Sequence, residues 1–236
     1  MNSASPNVDI VAIVPARAGS KRLPGKNFMD LHGKPLVRWT LEAALESQVI
    51  DSLVVSSDDD VILSEGARLG LYTIRRPEHL ASDTATTFDV LVHTLECLAQ
   101  EGVRPARVML LQATSPLRTA QDIRETVQCM NDTKARSVVS VCQCEHSPLW
   151  SNTLGLDGRM DNFLRSELIS KRSQDLDIYY RLNGAIYIAN TEEFIGAKGF
   201  FMPNSRAYIM PADRSVDIDT LMDFKLCEFY LAGSDK

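Results

Sequence analysis

Nowhere does the chain carry an apolar run near the roughly 20 residues needed to cross a bilayer, so a membrane-spanning role is not expected. Its first residues, Met1-Asn-Ser-Ala-Ser-Pro, lack the basic-then-apolar order of a secretory leader. Cysteine is scarce and odd in number, at five, without the spacing of a disulfide framework, which fits a reducing compartment. Also missing is any long block of one charge sign. With 25 Lys and Arg against 31 Asp and Glu, the net charge of −6 argues against a general nucleic-acid-binding role. No internal repeat or low-complexity segment is present. These absences predict a soluble cytoplasmic protein with neither membrane nor nucleic acid as partner, and any phosphate binding has to come from local basic residues.

What is present suits one large domain, residues 1–236, since 44% hydrophobic residues can fill a sizeable core. Val8 to Ala16 (VDIVAIVPA) is almost wholly apolar and rich in β-branched residues, as a strand covered on both faces should be. Residues 17–27 follow as a loop with two glycines, a proline and the basic residues Arg17, Lys21, Arg22 and Lys26. Leu36 to Val49 has helical periodicity, and Leu53 to Ser57 reads as the next strand, ending at three aspartates suited to a helix N-terminus. The alternation continues with strands at Tyr72 to Arg75 and Arg107 to Ala113, and helices at Thr86 to Gln100 and Ala120 to Asn131. Strand–helix alternation of this kind predicts an α/β fold with a doubly wound, mostly parallel sheet, whose ligands sit beyond the carboxyl ends of the strands near Arg17, Ser57 and Gln112. After a strand at Ser137 to Cys144, a polar stretch from about His146 to Asp177 is too long for an ordinary connection and should protrude. Strand-like segments at Tyr179 to Ala189 and Phe200 to Met210 and a helix at Asp219 to Leu231 close the chain.

Several groups of residues bear chemistry. The segment Gly19 to Asn27 resembles a Walker phosphate loop but misses it twice: one residue too many separates its glycines, and Asn27 stands where Ser or Thr should hold the metal. A basic loop after a buried strand still places Arg17 and Lys21 for a triphosphate, although a solvated basic turn has the same composition. Asp217 and Asp219, two residues apart, share a face in extended backbone and could hold magnesium; alternatively Asp219 caps the helix after it. Ser82 or Asp83 is in the same position ahead of the helix at Thr86. Cys142, Cys144 and His146 would line one strand face without zinc-ligand spacing, so they are read as packing.

Taken in order, IVPARAGSKRLPGKN, RRPEHLASDTATT, LLQATSPLR, YYRLNGAIYIAN, FFMPNSRAYIM and SVDIDTLMDF resemble the acylneuraminate cytidylyltransferases, also called CMP-sialic acid synthetases. The resemblance implies transfer of CMP from CTP to a nonulosonic acid with release of pyrophosphate, a divalent cation, usually Mg2+, and a Rossmann-like nucleotidyltransferase fold. Carried over position by position, it implies nucleotide binding by Arg17, Ser20, Lys21, Asn27, Arg76 and Thr87. Metal binding would fall to Asp217 and Asp219. Acceptor binding would fall to Gln112 and Arg172, with Arg181, Asn183 and Tyr187 around the pocket. Arg17, Lys21, Arg172, Asp217 and Asp219 form the implied catalytic set. A homodimer is also implied, with residues 146–182 as the dimerisation excursion and Phe200 and Phe201 reaching the partner's sugar pocket. Two departures stand out: the spacing around Arg172 carries one extra residue, and Trp150 replaces the lysine of capsule-type sialic acid enzymes. With KRSQD and YYRLNGAIYI, the tryptophan points to the branch acting on N,N'-diacetyllegionaminic acid, whose sugar has fewer hydroxyls. N-acetylneuraminic acid and 3-deoxy-manno-octulosonate are the rival acceptors, and a catalytically silent nucleotide-binding protein is the rival outside enzymes.

Overall fold

Buried on both sides, the apolar run near the N-terminus forms the middle of the sheet in a computed structural model that describes residues 8–20 and 22–234. Strand β1 (Ile10–Pro15) sends Ile10, Ala12 and Val14 into one hydrophobic cluster and Val11 and Ile13 into another, one on each face. A short ribbon, β2 (Asp30–Leu31) and β3 (Lys34–Pro35), leads to α1 (Leu36–Ser47). Next come β4 (Ser52–Ser57), α2 (Asp60–Arg68), β5 (Tyr72–Arg75), the one-turn α3 (Glu78–Ala81) and α4 (Thr87–Gln100). The second half runs β6 (Arg107–Leu111), α5 (Ala120–Thr133), β7 (Ser137–Gln143), β8 (Tyr180–Asn190), α6 (Thr191–Ala197), β9 (Ser205–Ile209) and α7 (Leu221–Ser234).

The strands lie in the order β5-β4-β1-β6-β8-β7-β9. β1 pairs in parallel with both β4 and β6, so the chain winds outward in one direction through β4 and β5, then returns to the other side of β1. That reversal opens a crevice beyond the carboxyl ends of β1 and β6, the usual ligand position in open α/β sheets. The sheet is mostly parallel as expected, with β8 running antiparallel to both β6 and β7. Its direction follows from its connection: β7 and β8 are joined by the irregular excursion, which brings the chain back without a crossover helix. The excursion holds only 3-10 turns at Pro148–Trp150, Ser166–Leu168 and Ser173–Asp175. No helix among the described residues is long and apolar enough to cross a membrane.

Helix starts correct two of the expected caps. Thr86, paired with Asp89, caps α4, so neither Ser82 nor Asp83 does. At α7 the same reciprocal arrangement joins Thr220 and Asp223, which takes the capping role away from Asp219. Asp59 caps α2 by accepting from the Val61 amide at 2.8 Å.

The cap of α5 does more than end a helix. Asp122 is fully buried and accepts from the Thr119 amide at 2.9 Å and from Arg214 Nε and Nη2 at 3.0 and 2.9 Å. Burial alone would raise its pKa, yet the hydrogen bonds from Arg214 and Thr119 outweigh it and hold the carboxyl below its ordinary value. A depressed folded-state pKa stabilises the fold above the unfolded value of about 3.9 and is lost as pH falls through the folded one. Asp122→Asn should therefore cost about 3 kcal/mol at neutral pH. It should also flatten the acid limb of stability below about pH 4. Urea unfolding at pH 7 and pH 3 measures both; equal losses at the two values would contradict the assignment.

Candidate active site

Beyond the ends of β1 and β6 lies a cleft of about 520 Å³. Its walls include Arg17, Ser20, Asn27, Arg76, Thr87, Gln112, Asp217 and Asp219, so eight residues expected at the site from four separate segments meet in one place. Lys21 lies outside the described residues.

The basic loop is held open by its own backbone contacts. The Ala18 amide donates to Asp58 Oδ1 at 3.0 Å, and buried Asn27 donates from Nδ2 to the Arg17 carbonyl at 3.0 Å. Asn27 thereby shapes the loop, while its Oδ1 is buried without a partner among the described residues. Arg17 Nη1 pairs with Asp83 at 2.9 Å and donates to the Ser82 carbonyl at 3.2 Å. Freed from capping, the Ser82–Asp83 segment thus steadies the arginine. Arg76 sits deeper, 6% exposed, donating from Nη2 to the Ser56 carbonyl at 2.9 Å and keeping a buried Nε that has no partner among the described residues. Burial and the nearby charge of Arg17 push its pKa down, against an opposing pull from Asp58. Two guanidinium groups near enough to repel each other favour an anion between them.

Across the cleft, the 215–219 segment carries the carboxylates. The Ile218 amide donates to the Thr114 carbonyl at 2.8 Å, tying this segment to the loop after β6. Asp217 Oδ1 is buried with no partner among the described residues, and burial pushes its pKa up despite a hydrogen bond from Thr114, with the charge of Asp219 adding to the rise. Asp219 pairs with Arg22 at 2.6 Å and with Lys26 at 3.1 Å. A buried carboxylate oxygen lacking a donor fits a divalent cation, for which two carboxylates plus phosphate and water oxygens form a usual ligand set. No group of three or more metal-type side chains gathers among the described residues, so phosphate and water would have to complete such a set.

The remaining acceptor candidates lie elsewhere. Tyr187 is half-buried, close enough for Asp217 to add to the rise that burial causes in its pKa. Asn183 is 1% exposed and bonded to Ser140, Ser215 and Met210, so in this chain it braces β8 and has no open face for a sugar. Phe200 packs into the chain's own core, its ring centroid 4.8 Å from Phe194 and 5.4 Å from Tyr187, whereas Phe201 is 63% exposed. A buried Phe200 cannot extend to a partner as expected from the motif. Arg172 is exposed in the excursion, and Arg181 is exposed with Glu145 3.7 Å away. Lys26 and Asp83 line the same cleft although the motifs gave them no role there, and their long-range partners reveal them; of the LLQATSPLR motif, Gln112 and Thr114 line the cleft and Arg118 does not.

A family model described as cytidylyltransferase matches residues 11–220. The chain is 38% identical to the CMP-N,N'-diacetyllegionaminic acid synthase of Legionella pneumophila, over 93% of this chain and 94% of that one. It is 35% identical to an N-acylneuraminate cytidylyltransferase of Streptococcus agalactiae over 91% of its own length, spanning about half (51%) of that protein. Among solved structures, a CMP:2-keto-3-deoxy-manno-octonic acid synthetase complexed with CTP superposes with a TM-score of 0.71 at 20% identity, covering 96% of this chain and 99% of the other, a likeness of fold. Matched by that family model from residue 11 to residue 220 and by the Legionella enzyme almost end to end, the chain belongs to the cytidylyltransferase family and is a nucleotidyltransferase.

Proposed function

We propose that this enzyme couples a nonulosonic acid of the N,N'-diacetyllegionaminic type to CMP, using CTP and releasing pyrophosphate. The observation that carries the reading is the meeting of Arg17 and Arg76 with Asp217 and Asp219 across one cleft at the switch point of the sheet. Similarity to the Legionella synthase over nearly the whole of both chains, together with Trp150 in the excursion, supports the choice of acceptor.

In this reading the acceptor's C2 hydroxyl attacks the α-phosphorus of CTP, its oxygen–phosphorus bond forms, and pyrophosphate leaves. Arg17, with Lys21, holds the triphosphate and steadies charge on the leaving group. Ser20 and Asn27 shape the loop around it, while Arg76 and Thr87 hold the nucleoside side. Gln112 meets the acceptor. Asp217 and Asp219 hold a divalent cation such as Mg2+, which when bound would polarise the α-phosphate and favour the ionised acceptor hydroxyl. Fixing both reactants in one cleft supplies much of the remaining acceleration.

The same reading places the enzyme in the cytoplasm, where its five free cysteines suit a reducing medium, and makes it a homodimer. Exposed apolar residues on the excursion, Leu154, Leu156, Met160 and Ile169, support pairing through residues 146–182 and bring Arg172 and Phe201 toward a partner's cleft. A monomer at micromolar concentration in sedimentation would contradict the dimer.

Pyrophosphate release with CTP and four acids tests the acceptor: N,N'-diacetyllegionaminic, N-acetylneuraminic, pseudaminic and 3-deoxy-manno-octulosonic. Diacetyllegionaminic acid should lead in kcat/KM by at least about tenfold. Equal turnover with N-acetylneuraminic acid removes the legionaminic assignment, and no release with any acid favours the silent nucleotide-binding protein.

A further inference from the structure

Arg118 is 2% exposed and makes no ion pair among the described residues; nearby Asp122, which raises its pKa, is paired with Arg214 instead. Burial pushes its guanidinium pKa down to about 9. An arginine in such a place needs compensation from hydrogen bonds, and it finds them on three segments. Nη1 donates to the Ala185 carbonyl at 2.6 Å and to the Gln112 carbonyl at 3.3 Å, while Nη2 donates to the Thr40 hydroxyl at 2.6 Å. Thr40 in turn donates to the same Gln112 carbonyl at 3.3 Å.

The carbonyl of Ala185 belongs to an irregularity in β8. Pairing with β7 shifts register between Val139 and Val141, and Asn183 fills the break by accepting from Ser140 Oγ at 2.7 Å and from the Ala185 amide at 3.2 Å. Gly184 stands inside it with φ +75°. A Cβ there would come within 2.5 Å of Gln112 Oε1 and 3.3 Å of Asp217 Oδ2, so the bare glycine separates the two groups. Arg118 therefore ties Gln112 at the end of β6 to the Gly184–Ala185 step of β8, against which the Gln112 side chain lies.

We propose that Arg118 is a positioning residue for the acceptor: by holding Gln112 and the β8 bulge on one guanidinium, it fixes how the Gln112 side chain, lying against Gly184, is presented to the acid. The inference rests on the acceptor reading above. A lysine has one point charge and no fork, so it cannot serve all three acceptors in the same geometry. In Arg118→Lys the KM for the acid should rise at least about tenfold, while calorimetric affinity for CTP without acid stays within about twofold. Wild-type KM for the acid in a folded variant, or equal losses for acid and CTP, overturns the inference. Should Arg118→Lys fail to fold, Thr40→Val removes one anchor and should shift the same constant in the same direction; an unchanged constant overturns it. Hydrogen exchange provides a readout independent of turnover. The Ala185 and Ile186 amides should exchange about tenfold faster in Arg118→Lys, while those of β1 keep wild-type rates. Unchanged exchange contradicts the role of Arg118 even if no acid is turned over, whereas faster exchange in a protein that uses none of the acids sinks the acceptor reading alone.

Discussion

Asp217→Asn should leave a folded protein, no less stable than the parent, whose CMP transfer is slower by about a thousandfold or more. The two halves of this expectation share one cause. Asp217 keeps a buried carboxylate oxygen without a donor among the described residues, and its pKa is pushed up mainly by burial. Holding that charge costs folding free energy in the free protein, so a neutral amide of nearly the same shape relieves it. What the amide loses is the ability to bind a cation as an anionic ligand. Asp219→Asn should be less severe, because Asp219 is half-exposed and already shares its charge with Arg22 and Lys26. Calorimetric melting and pyrophosphate release at saturating magnesium check both. Turnover near wild type in Asp217→Asn would remove the metal assignment, and a large drop in melting temperature would turn its role into a structural one.

Arg17→Ala should raise the KM for CTP by about a hundredfold, the equivalent of roughly 2–3 kcal/mol for charged hydrogen bonds to phosphate. Arg17 follows β1 directly, its carbonyl is fixed by Asn27 and its guanidinium by Asp83, so it is aimed before any ligand arrives. Arg17→Lys should recover only part of the loss, since an ammonium cannot make two parallel bonds to one phosphate. Steady-state kinetics in CTP at saturating acid measures the series. An unchanged KM in the alanine variant would place the triphosphate elsewhere.

The side of the cleft proposed to hold the nucleotide was legible in sequence for a physical reason: its residues follow strands whose own pattern is unmistakable. Burial on both faces makes Ile10–Pro15 a continuous apolar run, and the loop that follows has to lie at a strand end. Arg17 and Gln112 could thus be placed together before their contacts were known. Caps were harder, because Ser82, Asp83 and Thr86 all suit the role locally; the pairing of Thr86 with Asp89 decides it, and Asp83 is taken by Arg17. Direction along the sheet was also hidden. Tyr180–Asn190 reads as a strand whichever way it runs, and the excursion before it determines that it runs against its neighbours.

The acceptor side was least legible. Asn183 looks like a polar residue facing a ligand, yet its partners Ser140 and Ser215 lie 43 and 32 positions away, and they turn it inward. Phe200 and Phe201 are chemically alike and adjacent, but the bend between α6 and β9 buries the first against Phe194 and leaves the second exposed. Arg118 gave no signal beyond its place in the LLQATSPLR motif, since the role proposed for it depends on the Ala185 carbonyl and the Thr40 hydroxyl, both from other segments.

The most direct test is to incubate the protein with CTP, magnesium and N,N'-diacetyllegionaminic acid, following phosphorus species by NMR beside Asp217→Asn. Pyrophosphate and a CMP ester of the acid should appear in equal amounts with the parent protein, and neither should form at a comparable rate with the variant. Pyrophosphate appearing without the ester, or equal rates from the two proteins, would contradict a cleft in which Asp217 helps join the acid to CMP.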